Sequence, residues 1–258
     1  MRVLVAIPVL NEAAQLTASV EVLCAYLRDH CPFATEVVVV DNGSTDGSLG
    51  IAESLRVKWP DLRVCHLDLR GRGRALKTVW SESSAEILSY MDADLSTNLA
   101  SFEALISALQ NGNFDVAVGS RLLPESLTQR SWWRERLSRG YNWLVRAVFG
   151  TRLSDMQCGF KAITAEAARR LLPFVEDTGW FFDTELLVIA EKCGYRICEV
   201  PVRWTERRDS RVKILATVWN DLKGVARLKR RLASGGLAHL TREPEGAAKV
   251  VRSGGAGA

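Results

Sequence analysis

The residues best suited to chemistry are two carboxylates two positions apart. Asp92-Ala93-Asp94 follows the apolar run Ile87-Leu88-Ser89-Tyr90-Met91. At a strand's exit such a pair can serve one Mg²⁺ or Mn²⁺, with phosphate oxygens and water filling the remaining positions of a hard-oxygen shell. One of the two can instead bond a ribose or sugar hydroxyl. Asp41 is a further candidate, in Val39-Val40-Asp41-Asn42-Gly43-Ser44-Thr45-Asp46-Gly47. A carboxylate there can accept hydrogen bonds from a base or ribose, and the helix start that follows offers unpaired N–H groups. Read alone, the same stretch is a turn followed by a helix capped by Thr45 or Asp46.

Pro8-Val9-Leu10-Asn11-Glu12 closes another apolar run, and in isolation Glu12 reads as charge placed at a helix N-terminus. Arg70-Gly71-Arg72-Gly73-Arg74 is neither a P-loop nor a dinucleotide fingerprint, yet three guanidinium groups among glycines can meet anionic oxygens. Arg121, Arg134, Arg139, Arg211 and Lys213 add cations that singly read as solvated surface residues. Asp183 and Glu185 stand in Gly179-Trp180-Phe181-Phe182-Asp183-Thr184-Glu185-Leu186-Leu187. Carboxylates in so apolar a stretch are costly if buried unpaired, so they need partners or a function. His30, His66 and His239 show neither metal-ligand nor triad spacing, and no G-x-S-x-G occurs.

The elements that must hold these residues alternate. Val3–Ile7, Val37–Val40, Leu62–His66, Ile87–Met91 and Phe114–Val118 read as strands. Between them, helical stripes run through Leu16, Val20, Leu23 and Leu27, through Ile51 and Leu55, over residues 75–84, and through Phe102, Leu105, Ile106 and Leu109. This rhythm predicts an α/β fold with a mostly parallel central sheet flanked by helices, whose ligand sits beyond the carboxyl ends of the strands. The polar loops 41–48, 70–74 and 92–97 all fall at those ends. In the second half, Leu137, Tyr141, Leu144 and Val148 form a helical stripe, residues 181–192 read as a helix and 195–200 as a strand. Residues 213–231 form a basic amphipathic helix with Leu215, Val218, Leu222 and Val225 on one face. The Gly/Ala-rich segment 232–258 is expected to be disordered.

Composition bounds the class. The chain has 258 residues, 47% hydrophobic and 25% charged, which suits an ordinary globular core. Its longest uncharged stretch, Ala104 to Phe114, is 11 residues, short of the ~18–20 that cross a bilayer. The N-terminal apolar run is too short for a signal-peptide core, which points to a cytoplasmic protein. The six cysteines lack C-x-x-C spacing and read as simple thiols. Residues 1–120 hold 9 Lys and Arg against 15 Asp and Glu, and residues 121–231 hold 22 against 13. An acidic half followed by a basic half suits a metal beside phosphates. No nucleic-acid module is recognisable, so nucleic acid is not expected as a partner.

Taken together, the segments resemble glycosyltransferase family 2, the inverting enzymes of GT-A (Rossmann-like) fold, and within it the dolichyl-phosphate glucosyltransferases and dolichol-phosphate mannose synthases. The resemblance spans roughly residues 1–215 and rests on an ordered series: PVLNE (8–12), VVDNGSTDGS (39–48), RGRGRAL (70–76), MDADLST (91–97), VGSR (118–121), DMQCGFKA (155–162), FFDTELL (181–187) and EVPVRW (199–204). It implies a single GT-A domain over 1–212. It places Pro8, Asn11, Glu12, Asp41, Asn42 and Arg74 around the nucleotide sugar, with Asp92 and Asp94 as donor and metal residues. Arg121 and Arg134 would bind phosphates, Gln157, Asp183 and Glu185 would line the sugar and acceptor pocket as catalytic residues, and Arg211 and Lys213 would close over the phosphates from a mobile segment. Three departures stand out. Ser96 replaces a Gln metal ligand of the mannose synthases, Arg74 stands where Lys is frequent, and the transmembrane pair of many relatives is missing.

The reaction so implied is metal-dependent, inverting transfer of a hexose to a polyprenyl or dolichyl phosphate. UDP-glucose is the favoured donor, GDP-mannose the second, and Mg²⁺ or Mn²⁺ the cofactor. An acceptor phosphate, with its second pKa near ~6, can attack unaided at pH 7. A hydroxyl acceptor, the alternative, requires a base, for which Asp183 is the candidate. A sugar-nucleotide nucleotidyltransferase is a further alternative, but it usually carries a Gly-rich basic loop where this chain has Pro8–Glu12. The basic helix 213–231 either lies on the cytoplasmic face of an anionic membrane or packs on the domain.

Overall fold

A computed structural model of the chain describes residues 1–111, 113–206, 214–237 and 250–252. Five strands, β1 (Arg2–Val9), β2 (Ala34–Asp41), β3 (Leu62–His66), β4 (Ile87–Met91) and β5 (Val116–Ser120), alternate with α1 (Ala13–His30), α2 (Ser48–Lys58), α3 (Arg72–Glu82) and α4 (Ser101–Gln110). There follow β6 (Leu127–Gln129), α5 (Trp132–Phe149), β7 (Phe160–Thr164), α6 (Ala165–Leu171), α7 (Phe182–Lys192), β8 (Ile197–Pro201), β9 (Arg203–Thr205), α8 (Ile214–Ala233) and β10 (Val250–Arg252).

The main sheet runs β10-β8-β5-β7-β4-β1-β2-β3, with every neighbour parallel except β7, which is antiparallel to β4 and β5. The mostly parallel α/β architecture expected from the sequence is the one observed. Both faces are covered, so the strands read as continuous apolar runs rather than alternating ones. Leu4, Ala6, Val38, Val40, Leu88 and Tyr90 face a core closed by α3, α6 and α7. Val3, Val5, Ile7, Val37 and Val39 face a second core closed by α1, α2 and α4. A short parallel pair, β6 with β9, stands apart from the main sheet.

Several boundaries differ from the sequence expectation, each for a local reason. The helix expected over 75–84 already begins at Arg72. Gly71 takes φ 152, and a Cβ at Gly73 would sit 2.6 Å from that of Phe182, so glycine alone lets the helix start this early against α7. β5 and β8 both begin two residues later than expected. The Asp115 carboxylate accepts from the Arg196 N–H while Arg196 O accepts from the Asp115 N–H, a reciprocal corner that precedes both strands. On α5 the buried face is Asn142, Val145 and Phe149, with Leu137 exposed. On α8 it is Asp221, Val225 and Leu228, with Leu222 exposed. The disorder expected from 232 onward does not describe Leu237, which is buried, or Val250–Arg252, which pairs with Ile197–Glu199.

Candidate functional site

The polar loops gather at the carboxyl ends of β1, β2 and β4, which lie side by side in the sheet. At β4 the chain turns through Asp92-Ala93-Asp94, with Leu95 in the left-handed region at φ 49, a strained conformation for a branched residue. Asp94 is fixed by Ser96, whose N–H donates to Oδ1 at 2.9 Å and whose hydroxyl donates to Oδ2 at 2.6 Å. Ser96 thus orients the carboxylate where the resemblance had a Gln ligand. Asp92 is fixed from the other side: Arg72 Nη2 lies 2.9 Å from its Oδ1, and its N–H donates to Gly159 O at 3.1 Å.

Behind this pair lies a buried ionic cluster. The Arg72 guanidinium also donates to the Tyr90 hydroxyl at 3.1 Å, approaches Asp183 at 3.7 Å, and is 4.9 Å from both the Tyr90 and Trp180 ring centres. Lys161, 1% exposed, reaches Asp183 Oδ1 at 3.1 Å, the Tyr90 hydroxyl at 3.3 Å and Cys158 O at 2.5 Å. The Tyr90 hydroxyl donates to Asp183 Oδ1. Burial works against the Arg72 charge, but Asp92, Tyr90 and Asp183 hold its pKa above the ordinary guanidinium value. Crowding by these groups desolvates Asp92 and raises its pKa; Arg72 opposes the rise and Asp94 adds to it. Two aspartates repelling each other in this way favour a cation near them.

The β2 end is equally ordered. Asp41, fully buried, accepts from His66 Nδ1 at 2.8 Å and from Ser44 N at 3.3 Å through Oδ2, while Oδ1 has no partner. The Asn42 Oδ1 is also buried without a partner. Two unused acceptors at the end of a parallel strand suit the N–H and O–H donors of a base and ribose. Pro8 is the last residue but one of β1 and pairs in register with Val40, and Val9 after it pairs with Asp41. Asn11, at φ 59, accepts from Thr45 N at 2.7 Å and so ties the two loops together. Glu12 does not cap α1 with its side chain; its Oε2 accepts from Gln15 Nε2 at 2.6 Å. Asp46 accepts from the first N–H of both α1 and α2, at 3.1 Å each.

On the β5 side, Arg121 forks onto buried Asp155 at 2.7 and 2.9 Å, a pair that overcomes burial and holds the Asp155 pKa at about 2. Arg134 pairs with Glu206 at 2.9 Å. Arg130 has Nε and Nη2 buried with no partner, and burial together with Arg121 lowers its pKa. A desolvated guanidinium beside another guanidinium is a site that an anion would stabilise. A groove of about 710 Å³, lined by Leu95, Ser96, Asn98, Thr128, Gln129 and Arg203, opens beside Asp94 and falls within the size range of small-molecule sites.

The structure therefore brings together Pro8, Asn11, Asp41, Asn42, Asp92 and Asp94, and ties Asp183 to them through Arg72. Arg74 lies in the first turn of α3 with a buried, unpartnered Nε. Glu185 faces elsewhere: it accepts from the N–H groups of Glu176 and Asp177 at 3.1 and 2.7 Å and pairs with Arg227 at 3.3 Å, which fastens α8. Two residues apart on a helix, Asp183 and Glu185 point to different sides, a divergence the spacing alone implies. Gln157 donates to Asp221 on α8 at 2.9 Å. Arg211 and Lys213 lie outside the described residues. Tyr90, Lys161, Arg130 and Asp221 carry no individual signal in the sequence, Arg72 stands there only as part of Arg70–Arg74, and His66 lacks metal-ligand or triad spacing. For His66 the signal was the parallel register that sets it beside Asp41.

The donors at the β4 end fit a hard divalent cation. Both are carboxylates, and among the described residues no cluster of three or more His, Cys, Asp or Glu is placed to hold a metal. Two carboxylates would leave most coordination positions of such a cation to phosphate and water, as Mg²⁺ accepts.

The family model described as glycosyl transferase family 2 matches residues 4–172. Glycosyltransferase AglD of Haloferax volcanii is 37% identical over 220 residues, 84% of this chain and 35% of that protein. Dolichyl-phosphate beta-glucosyltransferases of Trichomonas vaginalis and Mus musculus are each 34% identical over 81% of this chain, covering 65% and 68% of their own lengths. The chain thus spans about a third of the first relative and about two thirds of the others. Among solved structures, glucosyl-3-phosphoglycerate synthase from Mycobacterium tuberculosis, in complex with Mn²⁺, uridine diphosphate and phosphoglyceric acid, shares the fold at TM-score 0.63 and 18% identity, over 95% of this chain and 80% of that one. The mannosyltransferase PcManGT from Pyrobaculum calidifontis, in complex with GDP-Man and Mn²⁺, does so at 0.54 and 23%, over 81% and 58%.

Proposed function

The chain belongs to glycosyl transferase family 2, and on that premise we propose that it transfers glucose from UDP-glucose, with inversion, to the phosphate of a polyprenyl or dolichyl phosphate. The fold is the GT-A architecture. The observation that carries the reading is the locked Asp92–Asp94 pair at the end of β4, separated only by β1 from the unpaired acceptors at the end of β2.

Asp92 and Asp94 would hold Mg²⁺ or Mn²⁺, which when bound neutralises charge on a diphosphate leaving group. Arg72 and Ser96 keep those carboxylates from reorienting, so little reorganisation is needed as charge develops. Asp41 and Asn42 take hydrogen bonds from the nucleoside, and Arg74, Arg121, Arg130 and Arg134 supply cationic charge for phosphates. Gln157 lines the sugar pocket, held by Asp221.

The buried cluster bears on the acceptor. A hydroxyl nucleophile would need Asp183 as its base, but Asp183 is 2% exposed and engaged by Tyr90, Lys161 and Arg72. A phosphate nucleophile needs no base, which supports the lipid phosphate as the acceptor. Incubation with UDP-glucose or GDP-mannose, Mg²⁺ or Mn²⁺, and either polyprenyl phosphate or hydroxyl acceptors tests this. Glucolipid formation from UDP-glucose that disappears in Asp94→Ala is the expected result. Transfer only to hydroxyl acceptors, or pyrophosphate-dependent turnover, would overturn it.

A further inference from the structure

His66 is the last residue of β3, and the parallel register sets it opposite Asp41, the last residue of β2. Paired residues of neighbouring strands face the same side of a sheet, so imidazole and carboxylate meet. Nδ1 of His66 lies 2.8 Å from Oδ2 of Asp41, and the Ser44 N–H donates to the same oxygen at 3.3 Å. Oδ2 is thereby engaged twice. Oδ1, on a fully buried residue, has no hydrogen-bond partner among the described residues. On the far edge of the imidazole, Nε2 stands 3.4 Å from Oδ1 of Asp68, a carboxylate open to solvent.

The corner holds this arrangement in place. The Leu67 N–H donates to Asp41 O at 2.9 Å, which continues the pairing of β2 and β3 past His66. Gly43 turns at φ 70, and a Cβ on it would meet Asp68 O at 2.9 Å, so the loop after β2 lies against the loop after β3. An ionised carboxylate only accepts, so the Nδ1 that faces it carries the proton. The hydrogen bond to Asp41 is the main cause of a His66 pKa above the ordinary imidazole value; desolvation opposes it, and the Asp41 and Asp68 charges add to it.

A buried carboxylate oxygen without a donor is costly, and a ligand N–H that reaches it offsets that cost. Nucleobases divide at this point. Uracil N3 and guanine N1 carry a proton on the pairing edge, whereas cytosine N3 and adenine N1 present a lone pair there. Toward a carboxylate oxygen the first two donate and the last two repel. A site built to hydrogen-bond one donor rejects an analogue lacking it far more strongly than apolar contact can. We propose that His66 is a positioning residue that sets base selectivity: by occupying Asp41 Oδ2 it presents Oδ1 to a base with a ring N–H, uracil or guanine, and so excludes cytosine and adenine. Without the imidazole the carboxyl can turn about its Cβ–Cγ bond or take up a proton, and a protonated carboxyl donates to cytosine or adenine. This selectivity deepens the proposed function and rests on that reading for the seat of the nucleoside at the end of β2.

Calorimetric titration of the full chain with UDP, GDP, CDP and ADP, each with Mg²⁺, tests this, with inorganic pyrophosphate and Mg²⁺ as the probe that lacks a base. Wild type is expected to bind UDP or GDP about tenfold or more tightly than CDP and ADP, and the first two arms show which ring N–H is taken. His66→Leu donates nothing to Asp41. It is expected to weaken the preferred nucleotide about tenfold and to narrow its lead over CDP and ADP. His66→Asn places an amide N–H where Nδ1 stood and should recover most of both losses. Pyrophosphate should bind all three proteins alike. In transfer assays His66→Leu should raise the donor KM with kcat near wild type, the mark of a contact made equally in ground and transition states. Equal binding of the four nucleotides by wild type, an unchanged preference in His66→Leu, or no recovery in His66→Asn would overturn the proposal. So would a loss of pyrophosphate binding that matches the loss of nucleotide, since that marks a loosened loop rather than a lost base contact. Selectivity that depends on His66 without hexose transfer to a polyprenyl phosphate would leave the base selection standing and remove the proposed reaction. Transfer with unaltered selectivity in His66→Leu would do the reverse.

Discussion

Gly159 lies directly over Asp92: its carbonyl accepts the Asp92 N–H at 3.1 Å, and a Cβ built on it would overlap both oxygens of the Asp92 carboxylate. The glycine is therefore part of how the carboxylate is aimed. Gly159→Ala must push Asp92 off Arg72 or shift the end of β4. A displacement of this size in an aligned site costs about 10²-fold in rate. Turnover should fall by that order while the circular dichroism spectrum and β-sheet content are retained; near-wild-type turnover would show that Asp92 is not held in its working position.

Lys161 and Asp183 are both almost fully buried, 3.1 Å apart. Removing one partner of such a pair leaves an uncompensated charge in the core, at a cost of about 3–5 kcal/mol. Lys161→Met fills similar volume without the charge, so it should lower the unfolding free energy obtained from urea titration by that amount. Asp183→Asn should be milder, since an amide still accepts from the Tyr90 hydroxyl. A Lys161→Met chain as stable as wild type would mean that Arg72 alone balances Asp183.

These cluster residues show where the sequence ran out. The strands β1, β2 and β4 were legible because buried parallel strands are apolar runs, and polar residues at their ends stand out. Asp41, Asp92 and Asp94 were found that way. Lys161 and Tyr90 were not, because they meet only through the antiparallel pairing of β7 with β4, a register across about seventy residues that no local pattern encodes. Arg72 reads as loop from sequence alone because the early start of α3 depends on the close approach of Phe182 to Gly73, far along the chain. Asp221 was hidden by the apolar residues of α8, whose true inner face includes that carboxyl.

Arg121 and Asp155 offer a double-mutant cycle. The Asp155 pKa is depressed from 3.8 to about 2, so the pair contributes stability that is complete above the unfolded value and is lost as pH falls through it toward about 2. Arg121→Ala should abolish this acid-sensitive part and destabilise at neutral pH. Adding Asp155→Ala should restore part of the loss, because the stranded charge is then gone. Strictly additive single losses in thermal melts would show that the two side chains are not coupled.

Asp221 makes the opposite prediction. Burial, with Asp177 and Asp183 adding to it and the Gln157 amide opposing it, pushes its pKa from 3.8 up to about 7. The folded chain therefore holds a proton on Asp221 that the unfolded chain has already released. Between about pH 4 and 7 the unfolded state binds fewer protons, so this group makes stability fall as pH rises, with the full loss reached above about 7. Asp221→Asn keeps a polar partner for Gln157 and cannot ionise. It should flatten that slope and make the protein more stable than wild type at pH 8, with little difference near pH 4. Hydrogen exchange should locate the wild-type loss in α8, which Asp221 and the Arg227–Glu185 pair fasten to the domain. Parallel stability profiles for the two proteins across this range would show that Asp221 is already ionised at low pH and that the helix is held by its apolar contacts and Arg227 instead.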